Sequence, residues 1–274
     1  MGQRPTFRDR ALDRRFEELG YVVVPGAARD VVDPLVAVHR RLVGDAPTGF
    51  HSTPYTDDAE LKRAVDREIR GALGPVVDPL LEDWRGILGS FISKRRGEDS
   101  GMPPHMDWTF VDEPELASVN VWVPLVDVGR RNGAMSVLPR SHRVPFTIRG
   151  TGTDNPYSEV EEVAAARMVR LDMRAGDVLL HDHRVLHSSP PNRSRRPRLV
   201  AGMAVVPRGA RAVHYRQAPD GTMVRHVLDD RFFTDHTYGA DDLPPSAVVD
   251  GVVRFSNPSF EPSDLPVADR AGVP

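Results

Sequence analysis

The chain carries one His-x-Asp, at His105-Met106-Asp107 within "PPHMDWTF" (103–110). An imidazole and a carboxylate two positions apart on a strand share a face and can meet one metal ion. Taken alone, the tripeptide fits equally well a loop histidine beside a surface aspartate. Residues downstream must decide. The stretch "AGDVLLHDHRVLHSSPPN" (175–192) opens on a Gly-Asp turn, runs as an apolar strand and reaches His187 where that strand gives way to a loop. Further on, Arg198 starts the run "RLVAGMAVVP". Two histidines and a carboxylate on one face of a metal leave the opposite face open, as in the non-haem Fe(II) oxygenases. A dicarboxylate cosubstrate in those open positions needs a cation at its far end. A guanidinium suits that role, because it binds a carboxylate through two parallel hydrogen bonds and stays charged.

The elements that must position these groups fall into two textures. The first forty-odd residues read as helix, strand, helix: "DRALDRRFEELG", "YVVVPG" and "RDVVDPLVAVHRRLVG". Residues 48–58 read as a loop, and 59–90 as mostly helix interrupted at Pro75 and Pro79. From there short β runs follow, near 89–94, 104–110, 118–126, 134–138, 167–173, 177–182 and 197–206, which argues for a sandwich or barrel. The proline-studded tail from 243 reads as an irregular strap. One domain over 1–274 is expected: a helical N-terminal part at about 1–88, a β core at about 89–210 and a C-terminal strap at 211–274.

Composition narrows the function classes. The 274 residues are 40% hydrophobic and 27% charged, with 36 basic and 39 acidic side chains and a net charge of -3. That is an ordinary globular balance. The densest basic patch, "RSRRPR" (193–198), has no interleaved aromatics, so no nucleic-acid partner is expected. No apolar run approaches the roughly 20 residues of a membrane span, and the start lacks a signal-peptide core. Cysteine is absent, which excludes disulfides, thiolate zinc sites and cysteine nucleophiles and suits a cytoplasmic enzyme. Oligomeric state leaves no mark in the sequence.

The order and spacing of three blocks resemble the phytanoyl-CoA dioxygenase family of Fe(II)/2-oxoglutarate oxygenases. These are His105-x-Asp107, "VNVWVPLVDVGRRNGAMSVLPRSHR" (119–143) and "AGDVLLHDHRVLHSSPPNRSRRPR" (175–198), within a likeness running from "FEELGYVVVPGA" (16–27) to "RLVAGMAVVP" (198–207). The resemblance implies a mainly β fold with flanking helices, a double-stranded β-helix or cupin-like jelly roll. It implies Fe(II) held by His105, Asp107 and His187, with Arg198 on the distal carboxylate of 2-oxoglutarate. Ser189 matches a position that assists that carboxylate, and Trp122 matches a cosubstrate-wall position. O₂ is then the third reactant, succinate and CO₂ are released, and a small organic molecule is oxidised, usually by hydroxylation. Related halogenases replace the ligand carboxylate with a small residue, so Asp107 favours hydroxylation. An Arg-, Pro- and Ala-rich chain of bacterial appearance, without an obvious CoA-binding patch, favours a substrate from specialised metabolism.

Other residues carry weaker expectations. Asn120 shares a strand face with Trp122 and is polar among valines, as a cosubstrate-facing amide or a satisfied structural one. The family places the segment after the His-x-Asp at the substrate pocket, which makes Trp108 and Phe110 candidates; in a regular strand Trp108 faces away from the metal. Lys94 precedes a flexible-looking loop and either touches an anionic substrate or is solvated. His181 and His183 are read as non-ligands, because a zinc pair at His183 and His187 needs helix where "GDVLL" reads as strand; His183 is kept as a pocket-mouth residue. His142 is read as structural, and Arg184 as surface charge. Two alternatives stand beside the oxygenase. A cupin-like metal enzyme without 2-oxoglutarate leaves Arg198 unexplained, and a silent jelly-roll binding protein needs no intact ligand set.

Overall fold

The computed structural model describes residues 5–45, 48–229, 231–238, 240 and 242–267. Three helices come first: α1 (Arg10–Leu19), α2 (Val32–Leu42) and α3 (Ala59–Val77). The strands β1 (Tyr21–Val24) and β2 (Phe50–Ser52) fall between successive pairs of them. There follow β3 (Trp84–Lys94), β4 (Met102–His105), β5 (Val119–Pro124) and β6 (Ser136–Val137), then helix α4 (Glu161–Arg167). The core ends with β7 (Val169–Arg170), β8 (Val178–Asp182), β9 (His187–Ser189) and β10 (Arg198–Pro207). Beyond it lie β11 (Val213–Gln217), β12 (Met223–Leu228), the single turn α5 (Phe232–Asp235) and β13 (Ala247–Val253). No described helix is long and apolar enough to cross a membrane.

The strands form a six-stranded sheet, β1-β8-β5-β10-β3-β2, and a four-stranded sheet, β4-β9-β6-β7, the two layers of a jelly roll. Period-two alternation sorts the large sheet's side chains. Val119, Val121 and Val123 of β5, with Val178 and Leu180 of β8, join Val65, Ile69 and Leu73 of α3 in one core. Each fully buried valine in it contributes about 1.5–3 kcal/mol. On the opposite face of the same strands, Trp122 and Leu179 pack with Met135 and Val137 toward the second sheet. Helices therefore cover one face, and the face that carries Trp122 turns to the second sheet. α1 is fixed at both ends: the Asp9 carboxylate accepts from Ala11 and Leu12 N–H, and Gly20 closes it at φ 82°.

Five expectations need correction. α3 runs unbroken through Pro75; the proline forfeits the hydrogen bond its N–H would make one turn back, and the helix ends two residues later. β3 begins at Trp84 rather than 89. Its ladder with β10 continues past a register shift at Ala204/Val205 to pair Trp84 with Pro207, and this long partner overrides the polar start "WRG". The loop expected at 48–58 contains β2, in which Phe50 pairs with Lys94. The strand expected over 104–110 stops at His105, since Asp107 N–H bonds the His183 carbonyl (3.1 Å) and Thr109 N–H that of Arg149 (3.0 Å). Finally, the C-terminal region is no irregular strap: β11, β12 and β13 make a third antiparallel sheet. The prolines bound "AVVDGVV" without entering it.

Candidate active site

β4 and β9 pair antiparallel with His105 opposite His187, which brings their rings to 4.3 Å between centroids. Asp107 follows just past the end of β4, with its Oδ1 3.9 Å from His187 Nε2. The ligand atoms of all three lie within 4.8 Å of one another, a set that fits one metal ion. His105 Nδ1 donates to the Pro103 carbonyl (2.8 Å) and His187 Nδ1 to the Val185 carbonyl (2.9 Å). Because a carbonyl only accepts, each proton sits on Nδ1 and each Nε2 keeps its lone pair for a metal. Burial, reinforced by the neighbouring imidazole, pushes His105 down to about 4, and burial also lowers His187. Both rings are therefore neutral at neutral pH. Burial alone would raise the Asp107 carboxyl, but His187, His183, His181 and His105 around it hold it well below the usual range.

Two residues hold Asp107 in place. Asn120 Nδ2 donates to its Oδ2 at 3.0 Å, so the polar member of the β5 alternation orients the candidate ligand carboxylate, and it also borders the cavity. Arg149 reaches the same residue from the chain side: its Nε donates to the Asp107 carbonyl (2.6 Å), its Nη1 to the Thr147 carbonyl (2.7 Å) and its Nη2 to Glu113 (2.5 Å). Replacing Asn120 with alanine should lower Fe(II) affinity by about 10–100-fold, the usual effect of removing an outer partner of a ligand. A competition titration that gives unchanged affinity would remove Asn120 from this role.

In front of these candidate ligands lies a cavity of about 150 Å³, bordered by Asn120, Trp122, Ser189 and Arg198 on the side expected for the cosubstrate. Arg198 is only 2% exposed. Its Nη1 donates to the Gly133 carbonyl (2.9 Å), its Nε has no partner among the described residues, and its guanidinium carbon lies 5.5 Å from the Trp122 ring centroid. No carboxylate among the described residues forms an ion pair with it, and burial lowers its pKa to about 9. A buried guanidinium with N–H capacity left over is chemically suited to pair with a carboxylate. Gly133, at φ +77°, is more than a turn former here, since a Cβ there would stand 2.5 Å from the Pro190 carbonyl oxygen.

Lys94 is neither solvated nor on the cavity wall. The β3–β10 register sets it opposite Arg198, fully buried, with Nζ donating to the carbonyls of Ser189 (2.8 Å) and Pro190 (3.0 Å). Burial and the adjacent Arg198 push its pKa down to about 6. It braces the Ser189–Pro190 backbone. Phe110 and His183 do border the cavity, 4.6 Å apart, with His183 Nδ1 2.8 Å from Ser118 Oγ. Trp108 does not; it turns away from Asp107 and stacks on Tyr238 (3.9 Å, 7°). His181, whose ring is 4.9 Å from that of His187, stays outside the ligand set. His142 is structural, 3.0 Å from the Glu17 carbonyl. Arg184 is not free surface charge, because it chelates the buried Asp182 (2.6 and 2.9 Å). Tyr55 and Tyr238 also line the cavity, and the sequence pointed only to their segments, not to them.

Residues 16–200 match the family model described as phytanoyl-CoA dioxygenase (PhyH). Among curated proteins, the chain is 29% identical over 117 residues to the phytanoyl-CoA dioxygenase domain-containing protein 1 homolog of Dictyostelium discoideum. The match takes in 40% of this chain and spans only 41% of that relative. Two solved structures are similar. HygX from Streptomyces hygroscopicus, with nickel and 2-oxoglutarate bound, is 19% identical with a TM-score of 0.53, over 73% of this chain and 87% of HygX. The epimerase SnoN, in complex with Fe3+, alpha ketoglutarate and nogalamycin RO, is 22% identical with a TM-score of 0.56, over 87% and 95% of the two chains. At these identities the likeness establishes the fold, and the expected jelly roll is the one observed.

Proposed function

Because the chain belongs to the phytanoyl-CoA dioxygenase family of Fe(II)/2-oxoglutarate-dependent enzymes, we propose that it hydroxylates a small organic molecule of specialised metabolism. The observation that carries the reading is Arg198, a buried guanidinium with no paired carboxylate among the described residues, which opens on the same cavity as His105 and Asp107. Iron would be held by His105, Asp107 and His187. When bound, iron with 2-oxoglutarate and O₂ supplies the oxidation, consuming the keto acid to succinate and CO₂.

The chain's own residues do the positioning. Arg198 and Ser189 receive the distal carboxylate, Trp122 walls it, and Lys94 keeps the Ser189 backbone in place from behind. Asn120 fixes the orientation of the ligand carboxylate. Phe110, Leu88 and Met203 give the cavity an apolar lining that limits water at the reacting centre. Asp107 supports hydroxylation over halogenation, because the position that chlorinating relatives leave to a halide is filled by a carboxylate. The nogalamycin RO held by SnoN supports a specialised metabolite as the class of substrate.

Anaerobic titration with Fe(II) and 2-oxoglutarate tests the reading through the visible charge-transfer band of the chelate. Arg198→Ala should raise the 2-oxoglutarate concentration needed for half-formation by about 30-fold or more, the range for truncating one partner of a buried charge pair. An unchanged requirement would take Arg198 out of its role. No band in the intact protein, with no succinate under air, would overturn the assignment. Incorporation of one atom from ¹⁸O₂ into the substrate product separates hydroxylation from other oxidations.

A further inference from the structure

The cavity has a second side, away from Arg198, that the cosubstrate does not account for. It is lined by Phe50, Tyr55, Phe110 and Tyr238 together with Leu88 and Ala204. Apart from Arg198 and the candidate metal ligands, the cavity lining among the described residues carries no lysine, arginine, aspartate or glutamate. Tyr55 and Tyr238 meet across the chain because Tyr238 N–H donates to the Pro54 carbonyl (3.0 Å). Their rings stand at 85° with centroids 5.9 Å apart. Tyr238 is backed by Trp108, stacked flat behind it at 3.9 Å, so its orientation is set and its remaining faces turn to the site. Tyr55 also meets Phe50 edge-on at 6.3 Å and keeps 48% of its surface exposed, so part of its ring remains open to a ligand.

Neither phenol has a hydrogen-bond partner among the described residues. Burial and the Asp107 charge push both phenols up, so each keeps its proton and remains available as a donor. The chain beside Tyr55 is acidic: Asp57, Asp58 and Glu60 are exposed. The cations nearest in sequence are spoken for. Lys62 is buried with Nζ on the His236 carbonyl (2.9 Å) and Thr237 Oγ1 (3.2 Å), and Arg63 pairs with Asp235 (3.0 Å). An aromatic cleft whose flanking segment carries exposed acidic residues disfavours polyanions and suits neutral or cationic ring compounds.

We propose that Tyr55 and Tyr238 are the substrate-recognition residues of this site, and that they take a ring without negative charge, aromatic or saccharide, in preference to an acyl-CoA thioester. The ring face packs on the tyrosine pair and the phenols donate to its oxygen substituents. Trp108 acts one layer back, as the residue that positions Tyr238.

The inference rests on the oxygenase reading, and the test separates the two. The anaerobic Fe(II)–2-oxoglutarate holoenzyme is titrated with naringenin for the aromatic arm, kanamycin for the saccharide arm and palmitoyl-CoA as the polyanion, following shifts of the chelate band. If no band forms at the outset, the oxygenase reading itself fails. With the band present, one ring probe should shift it saturably. Tyr55→Ala and Tyr238→Ala should each weaken that probe about tenfold, as expected for losing a ring contact and a donor together, while 2-oxoglutarate binding moves less than about twofold. Tyr238→Phe keeps the packing on Trp108 and should cost about threefold through the hydroxyl alone. A shift with palmitoyl-CoA only, no shift with either ring probe, or ring-probe affinities unmoved by both alanine variants would each overturn the proposal.

Discussion

Replacing Asp107 with alanine should abolish the Fe(II)–2-oxoglutarate chelate band and turnover while leaving the protein folded. Removing an outer partner of a ligand costs about 10–100-fold in metal affinity, and removing the ligand itself must exceed that. The electrostatic surroundings enlarge the effect. Asp107 is the carboxylate facing His105, His181, His183 and His187, and its charge favours a cation in their midst. Without it, four imidazoles surround the vacancy, and burial already disfavours charge on each of them. Stability should change little, because the backbone bonds from Asp107 N–H and to its carbonyl survive the substitution. Metal analysis after dialysis and a thermal melt check the two halves. A variant that still binds one equivalent of iron tightly would remove Asp107 from the ligand set.

The second large effect lies in stability. Arg149 is 5% exposed and Glu113 1%, and they form a buried ion pair 36 residues apart in sequence. Removing one member strands the other charge in the interior, which costs about 3–5 kcal/mol. Arg149→Met should therefore lower Tm by roughly 6–20 °C for a domain of this size. The double variant Arg149→Met/Glu113→Leu removes both charges and should recover most of that loss. Iron affinity should not recover with it, because no donor then holds the Asp107 carbonyl. A double variant that regains both would show that Arg149 serves stability alone.

How far the sequence reached can be traced residue by residue. His105, Asp107 and His187 were legible because a short motif and a strand-to-loop transition place them, and the β4–β9 register delivers the same geometry. Asn120 was visible as a polar residue in a valine alternation, although its partner was not. That partner lies in another segment, and pairing across segments leaves no local pattern. Arg149 and Glu113 were invisible for the same reason, since both sit outside regular elements with no periodicity to read. Lys94 was misjudged because charge ordinarily signals solvent. Its burial follows from facing Arg198 across a ladder, with two carbonyls as its compensation. In the tail, proline content outweighed the β-branched "AVVDGVV", and the strand formed between the prolines.

The third sheet and the turn that follows β12 have a further consequence for how such enzymes diversify. Residues 16–200, the span shared with the family, contain every residue assigned to iron and 2-oxoglutarate. Tyr238 lies outside that span, tethered to Pro54 by one backbone hydrogen bond and to Lys62 through its neighbours. The chain thus draws the tyrosine pair from two stretches, Tyr55 from within the shared span and Tyr238 from beyond it. A change confined to the stretch beyond residue 210 would therefore reshape one half of the tyrosine pair while leaving Tyr55 and the residues assigned to iron and 2-oxoglutarate untouched.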